Sequence, residues 1–232
     1  MAKVEKVRKS CKKGNSRTQL LFPLDNVHIF NKGNNGENIF RDSRDRQRFV
    51  DKIKNVLEPV AYICSYILMP NHFHLVLKIR SKKKILQLIE KDESIKDFVQ
   101  KFIDAGKSKA YIASRIISEL LRRFFSDYVG YFNRKYDREG SLLRKSFRRK
   151  IIDTIEYLKN CIVYVDRNIT NHIPCISYKD YPWGSYKDFI KPGYTEKINK
   201  RLFDFYGLFG SLENFIYEHE RKDLIHETYN IE

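Results

Sequence analysis

Met69-Pro70-Asn71-His72-Phe73-His74-Leu75-Val76-Leu77-Lys78-Ile79 is the stretch that decides how this chain folds. Proline followed by asparagine marks a turn. The residues after it alternate with the two-residue period of a strand, whose successive side chains point to opposite faces. Phe73, Leu75, Leu77 and Ile79 form a wholly apolar face that needs a core to pack on. His72, His74, Val76 and Lys78 form the other face. It presents two imidazoles roughly 7 Å apart along the strand, close enough for their ring nitrogens to converge on one ion. Imidazole is the commonest protein ligand for a divalent metal, although two strand histidines also read as polar residues on a half-exposed face.

Upstream of the turn, Val60–Leu68 is β-branched and aromatic, so the two segments predict a hairpin. An earlier strand falls at Val27–Phe30, before the turn cluster Gly33-Asn34-Asn35-Gly36. Ser43–Leu57 reads as a helix, with Phe49, Ile53 and Val56 on one side and Pro59 beyond its end. A helical region runs from Ile85 to Ala105, broken by Gly106. A long helix follows near Lys109–Tyr136, where Ile112, Ile116, Leu120, Phe124 and Tyr128 recur every four residues. Ser141–Ile152 is basic and extended. Asp153 with Glu156 predicts the capped start of another helix, and a last helix falls near Leu212–His226. Strand, helix, hairpin, helices, strand, helix is the order of an α+β fold, an antiparallel sheet with helices packed on one face. We divide the chain into a basic arm at 1–20, one domain at 21–190 and a helical extension at 191–232.

The chain of 232 residues carries 45 Lys and Arg against 29 Asp and Glu, a net charge of +16. Such an excess implies an anionic partner, and nucleic acid before an acidic membrane. No apolar run is long enough for a membrane span. The N-terminal residues lack the apolar stretch of a signal peptide, and the four cysteines lie scattered without a Cys-x-x-Cys. Together these features suit a reducing cytoplasm better than a disulfide or zinc framework.

On the helix beginning at Asp153, Ile155, Leu158, Ile162, Val165 and Ile169 form the stripe expected to be buried. Tyr157, Cys161, Tyr164 and Asn168 cluster on a flank roughly 110° away. Tyr164 and Asn168 are four apart, so phenol and amide stand one above the other. An amide oxygen there can complete a His72, His74, Asn168 metal site beside the phenol. A tyrosine hydroxyl, with a pKa of about 10, is a poor nucleophile unless its target is polarised. A divalent ion on a phosphodiester oxygen supplies that polarisation, and attack then gives a covalent phosphotyrosine. Tyr157 is the rival nucleophile, and the Tyr164–Asn168 pair also reads as an ordinary helix-surface contact.

Several ordered segments resemble the REP-associated tyrosine transposase branch of the single-tyrosine HUH transposases. They are Leu68–Val76 (LMPNHFHLV), Val27–Gly33 (VHIFNKG), Phe132-Asn133 with Gly140–Leu143 and Ser146–Arg148, Tyr164–Asn168 (YVDRN) and Tyr181–Tyr186 (YPWGSY). They span roughly residues 25 to 190. The resemblance implies a ferredoxin-like fold and a Mg2+- or Mn2+-dependent enzyme that cleaves and rejoins single-stranded, hairpin-bearing DNA, as a monomer or homodimer. It would make His72 and His74 metal ligands, and Tyr164 the nucleophile that takes the 5′ phosphate and leaves a 3′ hydroxyl. Asn168 would stand at the family's metal-binding amide. Two positions depart from the pattern: Ile169 where the branch usually has proline, and Asp166 where it often has histidine.

Arg144, Lys145, Arg148, Arg149 and Lys150 form a basic strand leading into the tyrosine helix, placed to hold phosphates or simply a charged edge that resists aggregation. Trp183 and Tyr186 are either stacking surfaces for an unpaired base or core. His28 could approach the site from the first strand, although a lone strand histidine is more often structural. A non-catalytic basic nucleic-acid-binding module is the competing function. A rolling-circle replication initiator ranks behind both, because no helicase-like phosphate loop accompanies the domain.

Overall fold

The computed structural model describes residues 19–145, 147–191 and 205–221. The expected arm at 1–20 falls almost wholly outside them, as do parts of the 191–232 extension. Four strands form one antiparallel sheet in the order β2-β3-β1-β4: β1 Asn26–Lys32, β2 Ala61–Met69, β3 His72–Ile79 and β4 Arg148–Ile152. The longer helices are α1 Ser43–Lys52, α2 Glu93–Asp104, α3 Lys109–Lys135, α4 Ile155–His172 and α5 Leu212–Glu220. Strand order and element order together give the split β-α-β-β-α-β arrangement. The α+β class and the antiparallel sheet are as the sequence predicts.

The apolar face of β3 is the floor of the larger core. Phe73, Leu75, Leu77 and Ile79 are all buried there with Val27 and Ile29 of β1. Phe49 of α1 meets the ring of Phe73 at 5.0 Å and those of Phe124 and Tyr128, from α3, at 4.9 Å each. Aromatic side chains bury large areas and favour such tilted and edge-on contacts, so α1 and α3 are locked against this side of the sheet.

Helices do not stay on that side, and the expectation of one covered face is corrected. The helix α4, which follows β4, packs on the opposite face. Leu158, Cys161, Ile162 and Val165 bury Cys64, Ile67 and Met69 of β2 and Val76 of β3 in a second core. A two-faced β2 needs both phases of its alternation. A bulge between Ile63 and Ser65 inserts Cys64 opposite the regular ladder. Ala61, Tyr66 and Leu68 therefore serve the first core, while Cys64, Ile67 and Met69 serve the second.

Several boundaries also shift. The basic segment is extended only as β4, Arg148–Ile152. The N-cap of α4 is Thr154, whose hydroxyl accepts from Tyr157 N at 3.0 Å, and not Asp153. Helix α5 ends at Glu220 instead of His226. Phe215 of α5 is buried against Tyr186, Phe189 and Phe209, so this helix closes the second core. Among the described cysteines, Cys64, Cys161 and Cys175 are unbridged. No helix among the described residues is long and apolar enough to cross a membrane.

On α3, Glu119 accepts from Arg122 at 2.7 and 2.8 Å and from Arg123 at 2.8 Å, and Arg123 reaches Ser94 on α2. Arg122, chiefly, holds the carboxyl at about 2, below its ordinary 4.5. A carboxylate depressed on folding stabilises the fold above its unfolded pKa, and that contribution is lost as pH falls through the folded value. Glu119→Gln is expected to lower stability at pH 7 by on the order of 1 kcal/mol, given the exposure of the arginines. The difference in urea midpoint from the parent should narrow between pH 4.5 and 2. A difference independent of pH contradicts this account.

Candidate metal and nucleophile site

Antiparallel register builds the site row by row across the sheet. His72 pairs with Met69 and Lys32, and His74 pairs with Ile67 and Phe30. On the far side of β1, Phe30 pairs with Arg148 and His28 with Lys150. Since His72, His74 and Val76 share one face, the imidazoles lie on the side covered by α4, as the alternation predicts. The turn that precedes them is held from two directions. The Pro70 carbonyl accepts from Ile39 N at 2.8 Å and Phe40 N at 3.0 Å, and the Asn71 carbonyl accepts from Gly33 N at 2.8 Å. Gly33 passes so close to the Glu37 carbonyl that a Cβ would collide with it, which accounts for glycine there.

A ring nitrogen of each histidine is hydrogen-bonded. Nδ1 of His72 lies 2.7 Å from Asn71 Oδ1. A carboxamide oxygen only accepts, so Nδ1 carries the proton and the lone pair of the neutral ring is on Nε2. Nδ1 of His74 lies 2.9 Å from Nε2 of His28. In the tautomer where His74 donates that bond, its own lone pair is again on Nε2. Histidines that bind metals are typically oriented by such a bond from the other nitrogen. In that tautomer His28, reaching the site from the first strand, is the residue that orients His74. Burial, first, and then the neighbouring His28, His72 and His172 hold the His74 pKa well below the ordinary histidine value. A neutral imidazole is the form that can donate a lone pair.

From α4, Tyr164 meets the His74 ring edge-on, with centroids 6.1 Å apart. Its side chain is 5% exposed, so the flank expected to border the core is in it. Ile155, counted in the buried stripe, is 69% exposed. Tyr164 is buried because α4 is covered on more than one side, by the sheet and by α5, whereas Ile155 is the first residue of the helix and lies outside both cores. Tyr157 is half-buried, about 10 Å along the axis from Tyr164, and packs on the second core.

Asn168 is the most telling member. It is 1% exposed, and neither its amide oxygen nor its amide nitrogen has a hydrogen-bond partner. Leaving a buried polar group unsatisfied costs about 1–3 kcal/mol, so a side chain orphaned at both atoms points to a ligand. One turn further on, His172 brings its ring to 4.8 Å from that of His72. His172 belongs to none of the sequence motifs. The signal was its spacing, four after Asn168 and eight after Tyr164, which keeps it on the same flank. Among the described residues no three His, Cys, Asp or Glu side chains form a ready metal cluster. The third donor here is an amide, outside those residue types. Two imidazoles with oriented lone pairs and an orphaned amide oxygen fit a divalent ion.

Asp166 faces away from this cluster. It is a buried hub: Oδ1 accepts from Ser65 at 2.8 Å and Ser185 at 2.7 Å, and Oδ2 lies 3.0 Å from His219 Nε2. His219 Nδ1 in turn lies 2.7 Å from the Phe215 carbonyl. These bonds tie α4 to β2 and α5. The departure at Asp166 therefore concerns the scaffold, since two residues along a helix is about 200° around it.

The basic strand divides by alternation. Arg148 is exposed and its guanidinium lies 6.0 Å from the Phe30 ring, beside the histidine row. Lys150 is half-buried on the same face. Arg144 and Lys145 are exposed ahead of the strand. Arg149 turns to the other face. It is buried, stacks on Phe147 at 4.5 Å and donates to the Gln19 carbonyl at 2.8 Å. Its expected place among the phosphate-holding residues is corrected: Arg149 is a packing residue. Tyr186 is likewise core, ringed by Tyr178, Phe215 and His219. Trp183 stays partly exposed along an apolar slot of 390 Å³ with Pro70, Ile169, Ile173 and Tyr181.

No family model matches this chain, and no curated protein does. Among solved structures it is similar to a REP-associated tyrosine transposase bound to a REP hairpin. Identity is 12%, over 75% of this chain and 84% of that chain, with a TM-score of 0.46. That likeness is distant and adds nothing to what the side chains of the site show.

Asp166→Ala is expected to cost about 3 kcal/mol, because it strands a buried histidine and two buried hydroxyls. Urea denaturation of both proteins checks this. A loss below about 1 kcal/mol would show that the hub does not hold α4 in place.

Proposed function

We propose that this protein is a metal-dependent enzyme that cleaves and rejoins single-stranded DNA through a phosphotyrosine intermediate on Tyr164. The observation that carries this reading is the contact of His74 with both His72 and Tyr164, beneath the helix that also carries the buried, doubly orphaned Asn168 one turn after the phenol. A structural tyrosine needs no such neighbours, and a structural asparagine would have its amide satisfied. The resemblance of the ordered sequence segments to tyrosine transposases supports the same reading.

His72 and His74 would hold the ion by Nε2 and Asn168 by its amide oxygen. The ion, Mg2+ or Mn2+, would supply Lewis-acid polarisation of a phosphodiester oxygen. The chain's residues do the rest. Asn71 and His28 fix the rings that face the phosphate. Arg148 and Lys150, in the rows next to His74 and His28, hold the strand by its phosphates. The Tyr164 hydroxyl oxygen forms a new bond to phosphorus as the bond to the 3′ oxygen breaks. The phenolic proton is given up, and the departing 3′ oxygen gains one. The 5′ phosphate remains as a tyrosine ester, and a 3′ hydroxyl can reverse the step and join strands without ATP.

The burial of Tyr164 favours a second reading, a binding module that has kept the scaffold without the chemistry. One experiment separates the two. The full chain is incubated with Mn2+ or Mg2+ and a labelled single strand bearing a hairpin, then denatured. A covalent protein–DNA adduct is expected, absent in Tyr164→Phe and retained in Tyr157→Phe. An adduct that survives Tyr164→Phe overturns the assignment of the nucleophile. No adduct under any condition, together with tight salt-sensitive binding of the strand, establishes the binding module instead.

A further inference from the structure

We propose that His172 is a third imidazole ligand of this site, and that it makes the site selective for a transition metal over Mg2+. The inference rests on the reading of His72 and His74 as metal ligands, and concerns a residue that neither the sequence motifs nor that reading employs.

Three observations converge on His172. The first is helical geometry: Tyr164, Asn168 and His172 follow one another at intervals of four on α4, so the ring extends the line of phenol and amide by one turn. The second is ring spacing. An imidazole nitrogen bound at about 2.1 Å puts its centroid about 3.2 Å from the ion, so two rings at 90–109° about one ion have centroids about 4.5–5.2 Å apart. The observed separations are 5.3 Å for His72–His74 and 4.8 Å for His72–His172, with the ring planes at 82° and 65°. The third is exposure. His172 is exposed while its ring rests against half-buried His72, so burial does not force the contact. No three-residue cluster is already closed among the described residues. As placed, the three imidazoles do not close on one point, so ligation by His172 requires its exposed side chain to turn toward the ion.

The donor set decides the metal. Three imidazole nitrogens with one amide oxygen suit Co2+, Ni2+ and Zn2+, whose affinity for such sites exceeds that of Mn2+. Mg2+ prefers oxygen ligands in a strict octahedron and gives up its waters reluctantly. With His172 removed, two imidazoles and an amide remain, and the preference for nitrogen-seeking metals weakens. The competing structural role for His172 is that of a basic residue in the last turn of a helix, favoured by the helix dipole. That role predicts no effect on metal binding.

The test uses the full chain and two metals alone, Co2+ followed by its visible d–d absorption and Mg2+ by calorimetry. The wild-type protein is expected to bind one Co2+ far more tightly than Mg2+. His172→Ala should weaken Co2+ binding on the order of tenfold or more, change the absorption, and leave Mg2+ binding and the far-UV circular dichroism as they were. Co2+ binding undiminished in His172→Ala but lost in His72→Ala overturns the role of His172, and the metal site of the proposed function stands. Co2+ binding unchanged in both variants, or absent in the wild-type protein, overturns the metal site together with this inference.

Discussion

The burial of His74 is the constraint on which the arrangement depends. A histidine on a solvated sheet face would be an ordinary polar residue. Here a helix covers that face, so His74 loses water and must find its partners inside the protein. It meets one from each direction: His28 by hydrogen bond from the neighbouring β1, His72 two residues back along its own strand, and Tyr164 from the helix above. The low dielectric that makes an unpaired group costly also strengthens whatever electrostatic interaction fills the space. An ion or a phosphate oxygen entering there would be held by groups that are already dehydrated and oriented.

That covering layer depends on β3 having two different faces. Its odd residues give the aromatic core with α1 and α3 a floor, and its even residues carry the site. The scaffold is thus divided, with rigidity built on one side of the sheet and polar groups gathered on the other. The Asp166 hub reinforces the division. It anchors the tyrosine helix to β2 and α5 through bonds on a side of α4 away from Tyr164.

Much of this was legible in the amino-acid order, for identifiable reasons. The hairpin and the two faces of β3 followed from strict alternation, and α3 from a stripe repeated over five turns. The contact of His72, His74 and Tyr164 followed from strand and helix periods with a family resemblance. What escaped reading involved neighbours far along the chain. The stripe of an isolated helix registers neither the second covering layer that buries Tyr164 nor that Ile155, at the helix start, extends beyond both cores. Arg149 was grouped with its basic neighbours because composition does not distinguish the sides of an edge strand, although the two-residue period does. Asp166 looked like a defect in a motif because Ser65, Ser185 and His219 lie 101, 19 and 53 positions away. His172 was missed because a histidine near a helix end has a sufficient local explanation.

The extra residue in β2 has a consequence for how this protein can change over time. Cys64 and Ser65 both face α4, and that doubled step puts Cys64 in the second core while keeping Ala61, before the bulge, with Tyr66 and Leu68 in the aromatic core. Losing the extra residue at the bulge would leave every other side chain of the strand in its present layer, because regular alternation counted from Met69 already turns Ser65 toward α4 and Ile63 and Ala61 toward the phenylalanines. A single deletion elsewhere in the strand, with the hairpin register kept, would exchange the layers of the side chains upstream of it as far as that irregular step. The bulge is therefore the place where this strand can change length by one residue and keep its two layers.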